Sequence, residues 1–375
     1  MVINPFTTSG YISAEYFCDR RAETDNLLRQ VLNGNNVAMI STRRMGKTGL
    51  IEHCFHAPEL SERYHLFLID IYSTKTLRDF VYRLGKSILE VLKPKGRRAW
   101  EIFFSSLTSL RTSFSFDSLG TPSWSIELGD IHTPSVTLDE IFRYLEQADK
   151  PCIVAIDEFQ QVRNYPEDNM EAVLRTHIQH SKNARFIFAG SQRHLMGDMF
   201  VNPSKPFYQS VSIMHLDAID LDHYITFALH HFMAAGKTLD AEVVTAIYQQ
   251  FEGITWYIQK LLNILFSLTA PGETCRPEQI DTALRLVMEA YDFTYSELLY
   301  QIPEKQKEIL IALCKEGKAQ NVTSAAFVKK YRLPSGSSVQ SALRGLLEKD
   351  FVTKELGIYQ VYDRFFALWL KRRIA

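Results

Sequence analysis

Cysteine is sparse and scattered in this chain: Cys18, Cys54, Cys152, Cys275 and Cys314, no two within four positions of one another. That spacing leaves no CxxC pair and no zinc-ribbon ligand set. An odd count in 375 residues argues for reduced thiols and for a core large enough to need no disulfides. Long apolar runs are also missing. The longest, such as Ile264 to Ala270, fall far short of the ~20 residues that span a bilayer. The opening stretch MVINPFTTSGYISAEYF holds neither a basic nor an apolar segment of the secretory type. A cytoplasmic protein without a membrane partner is therefore expected. Net charge is nearly absent, with 42 Lys plus Arg against 43 Asp plus Glu. The overall balance thus favours neither nucleic acid nor an anionic membrane. No G-x-S-x-G elbow occurs. His53 and His56, His177 and His180, and His230 and His231 lack the acidic or thiol company of a metal set. What remains is ordinary globular composition, 46% hydrophobic and 23% charged.

The apolar pattern alternates between two element types. Val37 to Ser41, His65 to Ile71, Cys152 to Ile156, Arg185 to Ala189 and Ser210 to Leu216 read as short strands. They are continuously apolar rather than alternating, as strands covered on both faces are. A helix is expected from near Lys47. Residues 76–92 carry Leu77, Val81, Leu84, Ile88 and Leu92 on one helical stripe. Strands separated by helices predict a parallel α/β sheet. Residues 94–135 break the rhythm. There Thr112 to Asp117 and Ser123 to Leu128 alternate around Leu119-Gly120-Thr121-Pro122, predicting an inserted β-hairpin that decorates the surface.

The most informative segment is Ser41-Thr42-Arg43-Arg44-Met45-Gly46-Lys47-Thr48, followed by Gly49. It lies between a predicted strand and a predicted helix. It matches G-x-x-x-x-G-K-[ST] everywhere except the first position, where Ser41 stands in place of Gly. Backbone N–H groups of such a loop curl around a phosphate, and the helix N-terminus adds positive potential. Gly46 keeps a side chain out of the phosphate space, Lys47 reaches the β- and γ-phosphates, and the Thr48 hydroxyl ligates Mg²⁺. Residues 41–49 are therefore the candidate nucleotide-binding residues. A second signal is Asp157-Glu158, closing the strand Ile153 to Ile156. Asp157 is the candidate partner of Mg²⁺ with Thr48, and Glu158 the candidate general base for water. Gly190-Ser191-Gln192 closes another strand. Ser191 is the first candidate there for sensing the γ-phosphate or positioning the water, Gln192 the second. Asp70 ends a further strand on the same rim.

These residues together resemble P-loop ATPases of the AAA+/STAND superclass, and most of all the archaeal-type ATPases also found in bacteria. Phe17, Arg20 and Glu23 are similar to a segment that precedes the loop in that group, Arg43-Arg44 to its paired loop arginines, and the hairpin to its insertion. Two departures stand out. Glu252-Gly253-Ile254-Thr255-Trp256-Tyr257 lacks the proline of the group's Gly-Gly-x-Pro-x-Tyr stretch. Pro206 to Ser210 lacks the Gly-Arg pair that supplies a candidate arginine finger. Such an arginine is worth about 10³-fold or more in turnover. The resemblance implies ATP/ADP and Mg²⁺ as cofactors. It also implies a helical lid and a winged helix after the sheet.

The rest of the sequence fits that outline. Residues 220–292 read as all-helical. From Glu304 to the end, 14 Lys plus Arg face 7 Asp plus Glu, an excess hidden in the whole-chain total. Helices near 305–316, 324–331 and 338–349, then strands 351–355 and 358–362 around Gly357, follow the winged-helix order. Ser338, Gln340, Ser341 and Arg344 lie on the helix that would read DNA. Only Arg344 and Lys349 add cations to that helix, so packing on the ATPase as a protein-interaction module is the other reading. The expected fold class is α/β: a P-loop NTPase parallel sheet over 1–218 with hairpin insertion 94–135, a helical lid domain over 219–302, and a winged-helix domain over 303–375. The expected function is a slow Mg-dependent ATPase used as a conformational switch, open to a protein partner and to oligomerisation. The alternative is a DNA-binding regulator, acting through 303–375, whose nucleotide site is structural or regulatory. A nucleotide kinase is the third reading, with no acceptor pocket in view.

Overall fold

The computed structural model describes residues 4–92, 105–109, 114–116, 122–124 and 128–374. By its internal contacts the chain divides into two compact units, Met1–Ala234 with Glu252–Asn263, and Ala235–Phe251 with Ile264–Ala375.

The first unit is built on strands β1 (Val37–Ile40), β2 (His65–Asp70), β5 (Cys152–Asp157), β6 (Ala184–Gly190) and β7 (Ser212–His215). They form one sheet in the order β2-β5-β6-β1-β7, and every pairing is parallel. Between β2 and β5 in sequence, β3 (Phe114–Phe116) and β4 (Pro122–Trp124) pair antiparallel with Phe114 opposite Trp124. This is the expected hairpin. The remainder of its two arms, and the basic stretch from Lys93 to Arg98, lie outside the described residues.

Helices cover both faces of the sheet, which is why its strands are apolar without alternation. Ala38, Phe67, Ile69, Val154, Ile156, Phe186 and Phe188 face one cluster. It is closed by helices α4 (Leu77–Val91), α5 (Pro134–Glu146), α6 (Met170–His180) and α7 (Arg193–Val201). The alternate residues Val37, Met39, Ile153, Ala155, Ile187 and Ala189 face a second cluster. There α1 (Arg21–Leu32), α2 (Lys47–Phe55) and the single turn α3 (Pro58–Ser61) close the layer. The stripe read from 76–92 is the buried face of α4. Its start is set by a capping box, in which Asp79 N donates to Thr76 Oγ1 at 3.2 Å and Thr76 N donates to the Asp79 carboxylate at 3.1 Å. The helix α8 (Leu221–Ala234) completes the regular structure of this unit before residue 235.

The second unit contains α9 (Ala241–Gln250), α11 (Gln279–Gln301), and the short parallel pair β8 (Thr238–Leu239) and β9 (Thr274–Cys275). The helix α10 (Thr255–Leu268) begins in the first unit and ends in the second. The C-terminal part then runs α12 (Glu304–Glu316), α13 (Ala325–Lys330), α14 (Gly336–Glu348), β10 (Val352–Glu355), β11 (Ile358–Val361) and α15 (Arg364–Arg373). Side chains cap three of these helices. Ser324 Oγ accepts from Phe327 N, Ser335 Oγ from Ser338 N, and Asp363 Oδ1 from Phe365 N and Phe366 N. β10 and β11 pair antiparallel, and Ala319 bridges Tyr359 as a third short strand. Buried Val339, Leu343 and Leu346 leave Gln340, Ser341 and Arg344 exposed on the opposite face of α14. Tyr295, Phe366 and Trp369 form an aromatic cluster, and the Trp369 indole N–H donates to Asp292 at 2.7 Å. Among the described residues no helix is long and apolar enough to cross a membrane.

The aromatic core behind the sheet is the most exacting packing in the first unit. Phe188 meets Phe159, Phe200 and Phe207 at ring separations of 4.5, 5.4 and 5.6 Å. Phe188→Ala should lower the unfolding free energy by about 3–5 kcal/mol, measured as a fall in the urea midpoint; an unchanged midpoint would contradict the packing account.

Candidate functional site

Parallel pairing brings four strand ends to one rim. Asp70 and Asp157 are register partners on β2 and β5. Ile40 and Gly190 are partners on β1 and β6, and Ser41 N donates to Gly190 O at 3.4 Å. The loop from Ser41 therefore leaves the sheet beside Asp157, Glu158 and Ser191. Gly190 lets its neighbours pack closely, since a Cβ there would lie 2.3 Å from Met196 Sδ and 2.6 Å from Gln160 Oε1, and those side chains would have to shift.

The loop turns into α2 at Gly46, which has φ +88°. A side chain in that region of backbone space is strained, so glycine is the natural residue. The first helical hydrogen bond of α2 runs from Leu50 N to Gly46 O at 2.9 Å. The N–H groups of Lys47, Thr48 and Gly49 thus stand ahead of the helical ladder, at the positive end of the helix. Ser41 is fully buried and Lys47 is 5% exposed. Lys47 Nζ donates to Ser41 Oγ at 3.2 Å and to Thr42 O at 3.1 Å. Burial pulls the Lys47 ammonium below its ordinary range, and Glu158 and Asp157 oppose that pull.

Thr48 Oγ1 donates to Asp157 Oδ2 at 2.5 Å. Burial, with the charge of Glu158, pushes the Asp157 carboxyl up, while the Thr48 hydrogen bond and Lys47 act against it. Glu158 follows at φ +56°, its N–H donating to Asp157 Oδ1 at 2.9 Å. That turn swings its carboxylate toward β6, where Ser191 Oγ donates to Glu158 Oε2 at 2.6 Å. The Gln160 amide also donates to Glu158 Oε2. Gln192 starts α7, with Met196 N donating to its carbonyl. Asp70 accepts from Tyr72 N at 2.8 Å and remains exposed.

The two loop arginines diverge. Arg43 Nε donates to Ser191 Oγ at 3.1 Å, and its guanidinium lies 5.2 Å from the Tyr72 ring centre. Arg44, at φ +68°, stacks against Trp256 at 4.5 Å and Tyr257 at 4.9 Å. Its guanidinium also donates to the Tyr257 hydroxyl, and its carbonyl accepts from Trp256 N at 3.1 Å. Met45 is held from another side: buried Arg20 donates to its carbonyl at 3.1 Å and pairs with Glu23 at 2.6 Å.

A cavity of about 290 Å³ opens over the loop. Met45 to Gly49, Asp157, Glu158, Thr7 to Ile12, Thr255 and Trp256 are among its lining residues. The indole of Trp256 donates to Thr8 O at 3.1 Å, joining two parts of that lining. Residues 41–49, Asp157, Glu158 and Ser191 were all expected here, and the fold brings them together. The wall formed by residues 7–12, the Arg44–Trp256–Tyr257 stack and the bridging role of Gln160 carry no sequence signal of comparable strength. For Arg44 and Trp256 the hint came from the resemblance alone: the group's paired loop arginines, and the stretch Glu252 to Tyr257 compared with its Gly-Gly-x-Pro-x-Tyr.

The metal fits this donor set. Thr48 and Asp157 offer two adjoining oxygen donors, the ligand type that Mg²⁺ takes alongside phosphate oxygens and water.

A model of a probable winged helix domain matches residues 293–372. No curated protein sequence matches the chain. Among solved structures, the chain is similar to a Walker-type ATPase of Pyrococcus abyssi, with 18% identity, 98% of this chain and 99% of that chain covered, and a TM-score of 0.64. It is also similar to the Aeropyrum pernix ORC2 protein, solved as ADPNP–ADP complexes, with 14% identity, 99% and 98% covered, and a TM-score of 0.58. The Aeropyrum pernix ORC1 protein in complex with DNA gives 11% identity, 95% and 93% covered, and a TM-score of 0.54. The expected architecture, a P-loop ATPase sheet with an inserted hairpin and a C-terminal winged helix, is the fold observed.

Arg20 is the buttress of the loop. Arg20→Ala strands the Met45 carbonyl and the Glu23 charge, and should cost about 2–3 kcal/mol, read as a lowered urea midpoint. Arg20→Lys should recover only part of it, because a single ammonium does not span both acceptors; full recovery would show that charge alone suffices.

Proposed function

We propose that this chain binds Mg²⁺–ATP at residues 41–49 and hydrolyses it slowly, using the bound nucleotide as a conformational switch. The observation that carries this reading is the buried Lys47 ammonium beside the Thr48–Asp157 pair, at the N-terminus of α2 and at the floor of a cavity. Among the described residues the hydrogen-bond partners of the buried Lys47 ammonium are the neutral oxygens of Ser41 and Thr42, an arrangement poised for an anionic partner. Phosphates would keep Lys47 protonated against the pull of burial. The N–H groups at the start of α2 would bind the same oxygens. Bound Mg²⁺ would neutralise phosphate charge, held by Thr48 and, through water, by Asp157.

The remaining residues supply the water chemistry. Glu158 would take the proton of the attacking water, and Ser191 and Gln160 would fix which carboxylate oxygen faces the water. Ser191 also stands where a γ-phosphate would be sensed. Residues 7–12 and Trp256, which also line the cavity, would cover the base and sugar. The preference for ATP over GTP rests on the resemblance to archaeal-type ATPases, and no guanine-reading N-K-x-D stretch occurs in the sequence. Fold similarity to Walker-type ATPases is consistent with this reading. The division into sheet (1–218), lid (219–302) and winged helix (303–375) is part of the proposal.

A second reading concerns the C-terminal part. The exposed face of α14, with Gln340, Ser341 and Arg344, and the excess of basic residues after Pro303 favour DNA as a partner. One neighbour of the same fold was solved in complex with DNA.

Two measurements test these readings. Phosphate release from Mg-ATP should exceed the background set by Lys47→Ala, which should also lose tight Mg-ATP binding. Glu158→Gln should bind normally and lose turnover by about 10²-fold or more; retained binding in the first variant would remove the loop as the site. For DNA, affinity of the full chain for a duplex should fall steeply with salt, log K dropping with slope about −0.9 for each phosphate contact. A flat response would favour a protein partner instead.

A further inference from the structure

We propose that the solvent face of α11 is a docking surface for a basic amphipathic helix of a partner protein. The proposal is independent of the reading of residues 41–49, because it concerns a different part of the chain.

Burial divides α11 into two faces. Ile280, Ala283, Leu284, Val287, Met288 and Tyr295 are buried. On the opposite side Leu286, Phe293 and Tyr300 follow one another at intervals of seven, 38%, 78% and 81% exposed. Phe293 and Tyr300 are the most exposed aromatic side chains among the described residues. Seven residues complete nearly two helical turns, so the three side chains form one stripe about 21 Å long. An exposed apolar stripe with a polar rim marks an interaction site. Here the rim is acidic. Glu289 and Glu297 lie four residues before and four after Phe293, which sets one on each side of the stripe, and both are exposed. Glu289 meets Arg285 at 3.9 Å, a long and exposed pair of the kind that contributes little.

The buried face of the same helix shows what this chemistry holds. Tyr295 packs against Phe366 and Trp369 of α15 at ring separations of 5.2 and 5.7 Å. Asp292 accepts from the Trp369 indole at 2.7 Å and meets Arg373 at 3.9 Å. The last turn of α15 carries Lys371, Arg372 and Arg373. An aromatic residue of α11 with a carboxylate beside it thus already receives a basic, aromatic helix. The solvent face repeats that arrangement with two aromatic residues and two carboxylates. Charge argues against a second copy of this chain as the occupant. Antiparallel pairing of two stripes in full register would set Glu289 opposite Glu297, and parallel pairing would set each glutamate beside its twin. An apolar helix flanked by lysine or arginine satisfies both the stripe and its rim.

The test uses the full-length chain and two fluorescently labelled synthetic helices of about three heptads. One carries leucine at its a and d positions and lysine at e and g; the other has glutamate in place of lysine. The lysine helix should bind, with affinity falling as salt rises, and the glutamate helix should not. Phe293→Ser combined with Tyr300→Ser should weaken binding of the lysine helix by about 30-fold or more. The unfolding midpoint should stay unchanged, since both rings are exposed. Glu289→Lys combined with Glu297→Lys should reverse the preference, so that the glutamate helix binds instead. General attraction of a basic peptide to an acidic surface would not be reversed by two substitutions. Binding of the lysine helix that survives the double serine variant would overturn the proposal, and so would failure of the parent chain to bind it. A parent dimer in sedimentation that the double serine variant dissolves would also overturn it, assigning the stripe to a second copy.

Discussion

The hydrogen bond between Thr48 and Asp157 is the point on which the site depends. It joins the first turn of α2 to the end of β5, two elements separated by 109 positions in the chain. The bond exists because β1 and β5 run parallel with only β6 between them. Parallel strands deliver their C-terminal ends to one rim, so a loop leaving β1 and a carboxylate ending β5 meet without any special device. Antiparallel neighbours would have sent the same residues to opposite edges.

Local backbone choices then aim the side chains. Arg20, Arg44 and Glu158 all lie in the left-handed region, which costs a residue with a Cβ about 1–2 kcal/mol. Each is held by a specific partner: Arg20 by Glu23 and the Met45 carbonyl, Arg44 by the Trp256 and Tyr257 rings, Glu158 by the Asp157 carboxylate and Ser191. The electrostatics have the same character. Lys47 and Asp157 are both buried, and burial works against the charge of each. On the proposed reading, a bound phosphate and metal would offset that cost.

In the second unit the same economy of means appears in a different form. Side-chain caps at Ser324, Ser335 and Asp363 set the starts of three helices, and apolar residues on one side of α14 leave its polar side exposed. On the proposed DNA reading that face would meet the duplex, yet the cations that raise the net charge are spread over the whole C-terminal part.

Much of this was legible from residue order. Continuous apolar runs marked the strands because helices cover both faces of the sheet. The stripe from Leu77 marked α4, and Gly46-Lys47-Thr48 marked the phosphate loop because that chemistry tolerates few residue types. Ser41, the one departure from the motif, is buried and accepts from Lys47, a use that a short hydroxyl side chain serves and glycine could not. Tertiary structure decided the rest. Nothing in the order of residues says that Arg43 and Arg44 point apart, that Trp256 reaches back to Thr8, or that Gln160 shares a carboxylate oxygen with Ser191. Periodicity and motifs report local backbone geometry and which face is buried. Contacts between residues far apart in the chain depend on strand order and on packing between layers, and those are settled only when the whole sheet closes.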